Sequence, residues 1–131
     1  MLIPEMFFQN VTSLSKIEAM PSQNILNFLI EYTQDTGHLF MNLTELETFT
    51  GLSSRMLQLS FQKTLNITPS QWIKKQKMLH AHRLIVEGKG FITVTQIAIE
   101  CGFTNFSLFA KYYREEFKEL PSQTMKKISR F

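Results

Sequence analysis

One pattern occurs twice in this chain, around residues 43–71 and again around residues 94–123. The first matching positions are Thr44, Leu46, Gly51 and Leu52, which recur 51 positions later as Thr95, Ile97, Gly102 and Phe103. Later positions recur at an offset of 52: Leu57, Phe61, Leu65 and Pro69 match Phe109, Tyr113, Phe117 and Pro121. The second copy therefore has one extra residue after its glycine. Each copy predicts a short helix, a turn at the glycine and a longer helix.

A short helix, a tight turn and a second helix make a helix-turn-helix, whose second helix can be presented to the major groove of DNA. The periodicity of the whole chain predicts about seven helices and no convincing strand. The expected fold class is therefore all-α, with two helix-turn-helix subdomains joined by a long linker helix.

The predicted boundaries follow the proline and glycine signals. Pro-Ser-Gln occurs at residues 21, 69 and 121, and proline suits the first position of a helix because its missing N–H is not needed there. We expect a tail or linker remnant at 1–20, a first subdomain at 21–68, a linker helix at 69–88 and a second subdomain at 89–131. That linker would act as a strut that lets two recognition helices enter successive major grooves, about 34 Å apart.

Positive charge is concentrated in the repeated region. Residues 1–41 contain one base and four acids, a net charge of −3, whereas residues 42–131 contain 13 bases and 7 acids, a net charge of +6. Such an excess fits a surface that neutralises phosphates. The alternative is a basic surface that is only solvated. Phosphate contact and simple solvation are likewise the two interpretations of Lys74, Lys75 and Lys77.

Other classes of function find little support. The single cysteine, Cys101, excludes an intramolecular disulfide and offers no zinc cluster. His80 and His82 are two positions apart, so on a helix they point in nearly opposite directions and cannot share a metal. Because no apolar run approaches about 20 residues and no signal peptide is evident, we expect a cytoplasmic protein. We predict no catalytic residue, no metal, no cofactor and no enzymatic activity.

The stretch from Leu43 to about Ile128 resembles the DNA-binding domain of the AraC/XylS family of bacterial transcription regulators. The resemblance rests mainly on the second copy, on Thr95, Ile97, Ala98, Cys101, Gly102, Phe103, Ser107, Phe109, Lys111, Tyr113 and Pro121. It implies two helix-turn-helix subdomains joined by a long helix. It also implies a regulator that binds double-stranded DNA, more often as an activator, with RNA polymerase as a second candidate partner.

In the first copy, the resemblance implies a recognition helix that starts near Ser53, buries Leu57 and Phe61, and exposes the candidate DNA-binding residues Ser54, Arg55, Gln58 and Leu59. Arginine suits guanine and glutamine suits adenine in the major groove, whereas leucine can contact only a thymine methyl. Arg55 and Gln58 are therefore the preferred base readers, unless they only keep the helix soluble. Many relatives have arginine at the position of Leu59, and Glu47 replaces the small residue matched by Ala98. Specificity is therefore expected to rest more on the second copy.

In the second copy, the recognition helix is expected from about Asn105 to Phe117. Its candidate DNA-binding residues are Asn105, Phe106, Ser107, Leu108, Lys111 and Tyr112. Ser107 suits a phosphate near the start of the helix, and Lys111 suits a guanine or a phosphate. Phe106 and Leu108 would either contact thymine methyls or be covered by other residues of their own subdomain. The glutamates at 115, 116 and 119 are expected to form i,i+4 ion pairs with neighbouring bases.

These features predict a sequence-specific DNA-binding transcription regulator. The alternative is a protein-interaction module of the same fold that acts on another regulator or on RNA polymerase without reading DNA. Relatives usually have a separate ligand-sensing or dimerisation domain, so we expect either part of a longer regulator or a short stand-alone member. A monomer suffices for two tandem motifs, and the residues indicate no target sequence or effector.

Overall fold

The computed structural model describes residues 22–129, and within this range the chain forms seven α-helices and no β-strand. The helices are α1 Ser22–Thr36, α2 Leu43–Thr50, α3 Ser54–Leu65, α4 Pro69–Gly88, α5 Val94–Glu100, α6 Phe106–Phe117 and α7 Pro121–Ile128. The predicted all-α class is confirmed, and Pro69 and Pro121 open helices as expected. The predicted tail at 1–20 and the helix start at Pro21 lie outside the described residues.

The two recognition helices, α3 and α6, are bounded in the same way. Both ends of α6 lie 52 positions after the ends of α3. Ser53 and Asn105 are the N-caps, and their side chains accept backbone hydrogen bonds over 3.2 and 3.0 Å. Each helix ends at a residue in the left-handed region, Asn66 with φ 57° and Lys118 with φ 63°. The sequence repeat therefore extends to the capping geometry, which fixes the register of both helices.

The glycines of the repeat form the turns that precede these helices. Gly51 and Gly102 have φ values of 71° and 85°, a region that glycine occupies without the steric cost of a Cβ. Counting from the caps, the extra residue of the second copy is Thr104, which lengthens the turn and leaves both flanking helices intact. The insertion is therefore absorbed in a loop, where it does not disturb helix register.

The contacts divide the chain into two compact units, one up to Ser70 and one from Gln71 onward. In the first unit, α1 packs against α3, and α2 also contacts α3. The buried apolar residues of this unit are Ile25, Leu26, Leu29, Phe40, Leu46, Leu57 and Phe61. Burial of a leucine or phenylalanine side chain contributes about 1.5 to 3 kcal/mol, so Leu57 and Phe61 anchor α3 from its inner side.

The second unit includes α4 from Gln71 onward, together with α5, α6 and α7. Its buried cluster contains Met78, Ala81, Ile85, Ile97, Ala98, Cys101, Phe109 and Tyr113. Phe109 and Tyr113 correspond to Leu57 and Phe61 of the first unit, so the same two positions anchor both recognition helices. Ala98 is buried, whereas its counterpart Glu47 is half-buried. Glu47 therefore lies at the rim of the first unit.

None of the helices between residues 22 and 129 combines the length and the hydrophobicity that crossing a bilayer requires.

Candidate nucleic-acid interface

Helix α3 presents a polar outer side. Arg55, Gln58 and Leu59 are exposed, and Ser54 at the first helical position is half-buried. The opposite side of α3 is buried, because Leu57 and Phe61 have no exposed surface. The predicted outward and inward residues of α3 therefore lie as expected, except that Ser54 is partly covered.

The charges of α3 are all positive. The helix contains Arg55 and Lys63 and no acidic residue. Among the ion pairs of residues 22–129, none involves either of these bases. Two exposed cations without a carboxylate partner produce a local positive field that attracts phosphates.

Helix α6 presents the second set of candidates. Asn105 lies one residue before the helix, where its side-chain oxygen accepts the backbone N–H of Leu108. Ser107 and Lys111 are exposed. Phe106 and Leu108 retain 46% and 38% of their surface. Each of these two apolar side chains is therefore partly covered by its own unit and partly open, and contact with thymine methyls stays a prediction.

An open groove with a volume of about 560 Å³ runs along the outer side of α6. It is lined by Phe106, Ser107, Ala110, Lys111, Arg114, Glu115 and Leu120. Three of the six candidates predicted for the second copy, Phe106, Ser107 and Lys111, thus share one concave surface, whereas Tyr112 is half-buried. The groove combines apolar groups and two bases with one carboxylate, that of Glu115.

The carboxylates of α6 pair with lysines of α4, whereas its two bases do not form ion pairs with described residues. Glu115 Oε2 lies 3.9 Å from Lys74 Nζ, and Glu116 Oε1 lies 4.0 Å from Lys75 Nζ. In contrast, the described residues supply no ion-pair partner for Lys111 or Arg114. The expected i,i+4 pairs are therefore wrong, because α4 packs close enough to attract these carboxylates. Glu115 and Glu116 thus pair with lysines of α4, while Lys111 and Arg114 share the groove with Glu115 and have no ion-pair partner among the described residues.

The lysines of α4 also contact aromatic rings of the second unit. Lys74 Nζ lies 4.4 Å from the centroid of the Tyr112 ring, and Lys77 Nζ lies 5.3 Å from that of Phe103. Both distances are in the range of cation–π attraction. Lys74 and Lys77 are therefore partly packed against aromatic rings, and contact of these lysines with phosphate stays a prediction.

A chain of hydrogen bonds fixes α6 from its inner side. His82 Nδ1 lies 3.1 Å from Tyr113 Oη, and the His82 ring stacks on Phe117 with 4.6 Å between ring centroids. Tyr113 Oη donates to Thr124 Oγ1 on α7 over 3.0 Å. His82 is thus a packing residue, and residues 22–129 contain no group of histidine, cysteine and carboxylate side chains suited to a metal.

Comparison with known proteins identifies the family. A family model described as a helix-turn-helix domain matches residues 46–127 of the chain. A crystal structure of a probable AraC family transcriptional regulator from Rhodopseudomonas palustris superimposes with a TM-score of 0.63 at 35% sequence identity, and the match covers 75% of this chain and 91% of that one. The chain belongs to the AraC/XylS family.

Curated relatives of this AraC/XylS-family chain are named as regulators of transcription. The virulence regulon transcriptional activator VirF of Yersinia enterocolitica is 38% identical over 63 residues, 48% of this chain and 22% of that protein. The XylDLEGF operon transcriptional activator 3 of Pseudomonas putida is 30% identical over 125 residues, 94% of this chain and 37% of that protein. The chain thus spans about a fifth to two fifths of the length of these relatives. Their names favour the DNA-binding hypothesis over the interaction-module alternative.

Two residues of the AraC/XylS-type surface were not among the predicted candidates. Arg114 lines the groove on α6, two turns after Ser107. Met56 is 44% exposed in the first turn of α3. The repeat contained the signal for Met56, because an offset of 52 makes it the counterpart of the candidate Leu108.

Proposed function

We propose that this chain is a sequence-specific DNA-binding transcription regulator that inserts α3 and α6 into successive major grooves of double-stranded DNA. The observation that carries the proposal is the set of exposed bases without ion-pair partners on the two recognition helices. Their inner sides are apolar or paired, and their exposed bases, Arg55 and Lys63 on α3 and Lys111 and Arg114 on α6, have no ion-pair partner within residues 22–129. Unpaired cations on one side of a short helix favour phosphate and guanine contacts.

The proposed contacts on α3 follow from side-chain chemistry. Arg55 pairs with a guanine, and Gln58 pairs with an adenine through its amide. Leu59, with 54% of its surface exposed, contacts a thymine methyl. Ser54 is close enough to the start of α3 to meet a phosphate, where backbone N–H groups also point outward.

The proposed contacts on α6 use the groove. Ser107 hydrogen-bonds a phosphate and Lys111 binds a guanine or a neighbouring phosphate. The amide nitrogen of Asn105 is left for DNA, because its oxygen caps the helix. Phe106 and Leu108 supply the apolar part of this surface.

The regulator acts in the bacterial cytoplasm as a transcriptional activator, with RNA polymerase as its second partner. The relatives from Yersinia and Pseudomonas that are named activators support activation rather than repression. One chain is sufficient for two half-sites, because each half-site is read by one helix-turn-helix, and a monomer is therefore the proposed DNA-binding species.

Binding of the purified chain to selected and random duplexes tests this proposal. Arg55→Ala and Gln58→Ala are each expected to cost about 1 to 3 kcal/mol and to relax specificity at one base pair. Lys111→Ala is expected to weaken binding to all sequences and lower the salt slope by about 0.9 if it meets a phosphate. Arg83→Ala is the matched control, because Arg83 is an exposed base on α4 whose guanidinium hydrogen-bonds His80. Variants that bind every duplex like the parent would contradict the assignments.

A further inference from the structure

Met56 and Leu108 occupy the same position in the two recognition helices. Each is the third residue of its helix, and its backbone N–H donates to the N-cap side chain, Ser53 Oγ over 3.2 Å and Asn105 Oδ1 over 3.0 Å. Both side chains are large and apolar, and both are exposed, with 44% and 38% of their surface accessible. The same combination of cap, position and exposure thus occurs once in each unit.

This position lies in the part of a helix-turn-helix that approaches the bases. The N-terminal residues of a recognition helix contact the base edges. In addition, Cα–Cβ bonds in an α-helix tilt toward the N-terminus, so a third-position side chain extends over the first turn. Met56 and Leu108 therefore leave their helices where a duplex would be closest.

The chemistry of these side chains restricts what they can contact. A leucine has no hydrogen-bonding group, and a methionine sulfur is only a weak acceptor. The base edges of the major groove present hydrogen-bonding groups and a single large apolar group, the C5-methyl of thymine. The neighbouring second positions, Arg55 and Ser107, are polar and suit the other edges. An apolar residue at the third position therefore selects thymine.

We propose that Met56 and Leu108 form an equivalent pair of thymine readers, each contacting the C5-methyl of one thymine at the same relative place in its half-site. The inference rests on the proposed DNA-binding function and deepens it. It adds Met56 to the specificity-determining residues. It also assigns one shared base preference to two recognition helices whose other exposed residues differ. At the neighbouring positions the two helices diverge, with Arg55 matched by Ser107 and Leu59 by Lys111.

Removal of single methyl groups from the DNA tests the pair. Each thymine of a duplex selected by the chain is replaced in turn by deoxyuridine, which keeps base pairing and loses only the C5-methyl. Affinity is measured for the parent, Met56→Ala, Leu108→Ala and the control Leu79→Ala. Leu79 is exposed to the same extent as Met56, 44%, but lies on α4. Thermal unfolding of all four proteins verifies that the exposed substitutions leave the fold intact.

The expected result is one thymine in each half of the site whose sensitivity depends on Met56 or on Leu108, in addition to any thymine contacted by Leu59. There, the parent loses affinity about fourfold on methyl removal, the value for one buried apolar carbon. Met56→Ala loses nothing further at one of these thymines and keeps the full loss at the other, whereas Leu108→Ala shows the reverse. The control behaves like the parent at both.

Two results would overturn the inference alone: equal sensitivity of parent and variants at every thymine, or no sensitive thymine in a selected site. A chain that selects no duplex would instead refute the proposed function, and the thymine-reader inference would fall with it. The two failures are therefore distinguishable in one set of measurements.

Discussion

Tyr113 Oη donates a hydrogen bond to Thr124 Oγ1 over 3.0 Å inside the second unit. Thr124 Oγ1 in turn donates to Glu119 Oε2 over 2.7 Å. Each hydroxyl has only one proton, so His82 Nδ1 must be the donor in its 3.1 Å contact with Tyr113 Oη. Burial raises the pKa of Tyr113, which keeps the phenol protonated and able to donate. The chain of bonds ties the recognition helix α6 to α4 and α7.

Replacement of Tyr113 by phenylalanine is expected to destabilise the protein by about 1 to 3 kcal/mol, because it leaves polar groups of His82 and Thr124 without their partner. Tyr112→Phe is the matched control, since its ring is half-buried and makes its described contacts through its face and edge. Urea unfolding of both variants measures the difference. Equal stabilities for the two variants would show that the buried bond contributes nothing.

The stability of the second unit is expected to depend on pH through the protonation of Glu119. Hydrogen bonds from Lys127 and then from Thr124 hold the pKa of its carboxyl below the ordinary value of 4.5. A depressed carboxyl pKa contributes stability that is present above the ordinary value and is lost as the pH falls through the folded-state value. The free energy of unfolding of the parent should therefore exceed that of Glu119→Gln by a constant amount near neutral pH and converge on it in acid. A difference that persists at the lowest pH would contradict this linkage.

Cys101 is expected to be chemically inert in the folded protein. The residue is fully buried, and burial raises the pKa of its thiol to about 11. Because the thiolate is the reactive species, iodoacetamide near neutral pH should leave the native chain unmodified and alkylate it once denaturant is added. Similar alkylation rates in the two conditions would contradict the burial of this side chain.

Much of the fold is encoded locally, and the repeat shows where. Gly51 and Pro69, with their counterparts Gly102 and Pro121, predict turns and helix starts from single residues whose backbone preferences are strong. The inward side of α3 follows from the spacing of Leu57 and Phe61. These signals suffice for helix bounds because capping and periodicity involve residues only a few positions apart.

The contacts that position α6 could not be predicted in this way. His82 and Tyr113 are 31 positions apart, and their bond depends on how α4 packs in the second unit. The same packing draws Glu115 away from its helical neighbours toward Lys74. Met56 was overlooked for a different reason, since the methionine directly before Leu57 does not belong to the buried period of α3 and stands out only when the second copy is aligned with it.

Lys74 is expected to act on DNA binding by positioning α6 rather than by touching phosphate. Its contacts with Glu115 and with the Tyr112 ring hold α6 against α4. Because exposed ion pairs contribute only up to about 1 kcal/mol, Lys74→Gln should lower affinity no more than about fivefold. The slope of log affinity against log salt should stay unchanged, as it counts phosphate contacts.

A charge exchange provides the control for Lys74. The double variant Lys74→Glu with Glu115→Lys should recover the affinity lost by Lys74→Glu alone, because the ion pair is restored with opposite polarity. A lower salt slope for Lys74→Gln, or no recovery in the exchanged pair, would place Lys74 among the phosphate contacts instead.

Selection of bound sites from a random duplex library, at two salt concentrations, tests the central claim most directly. The account predicts an asymmetric motif with two informative blocks about one helical turn apart, one block for α3 and one for α6. It also predicts that affinity falls with salt while the motif persists, because phosphate contacts are screened and base contacts are not. Failure to recover any motif, with binding that vanishes at moderate salt, would contradict a sequence-specific reader of DNA.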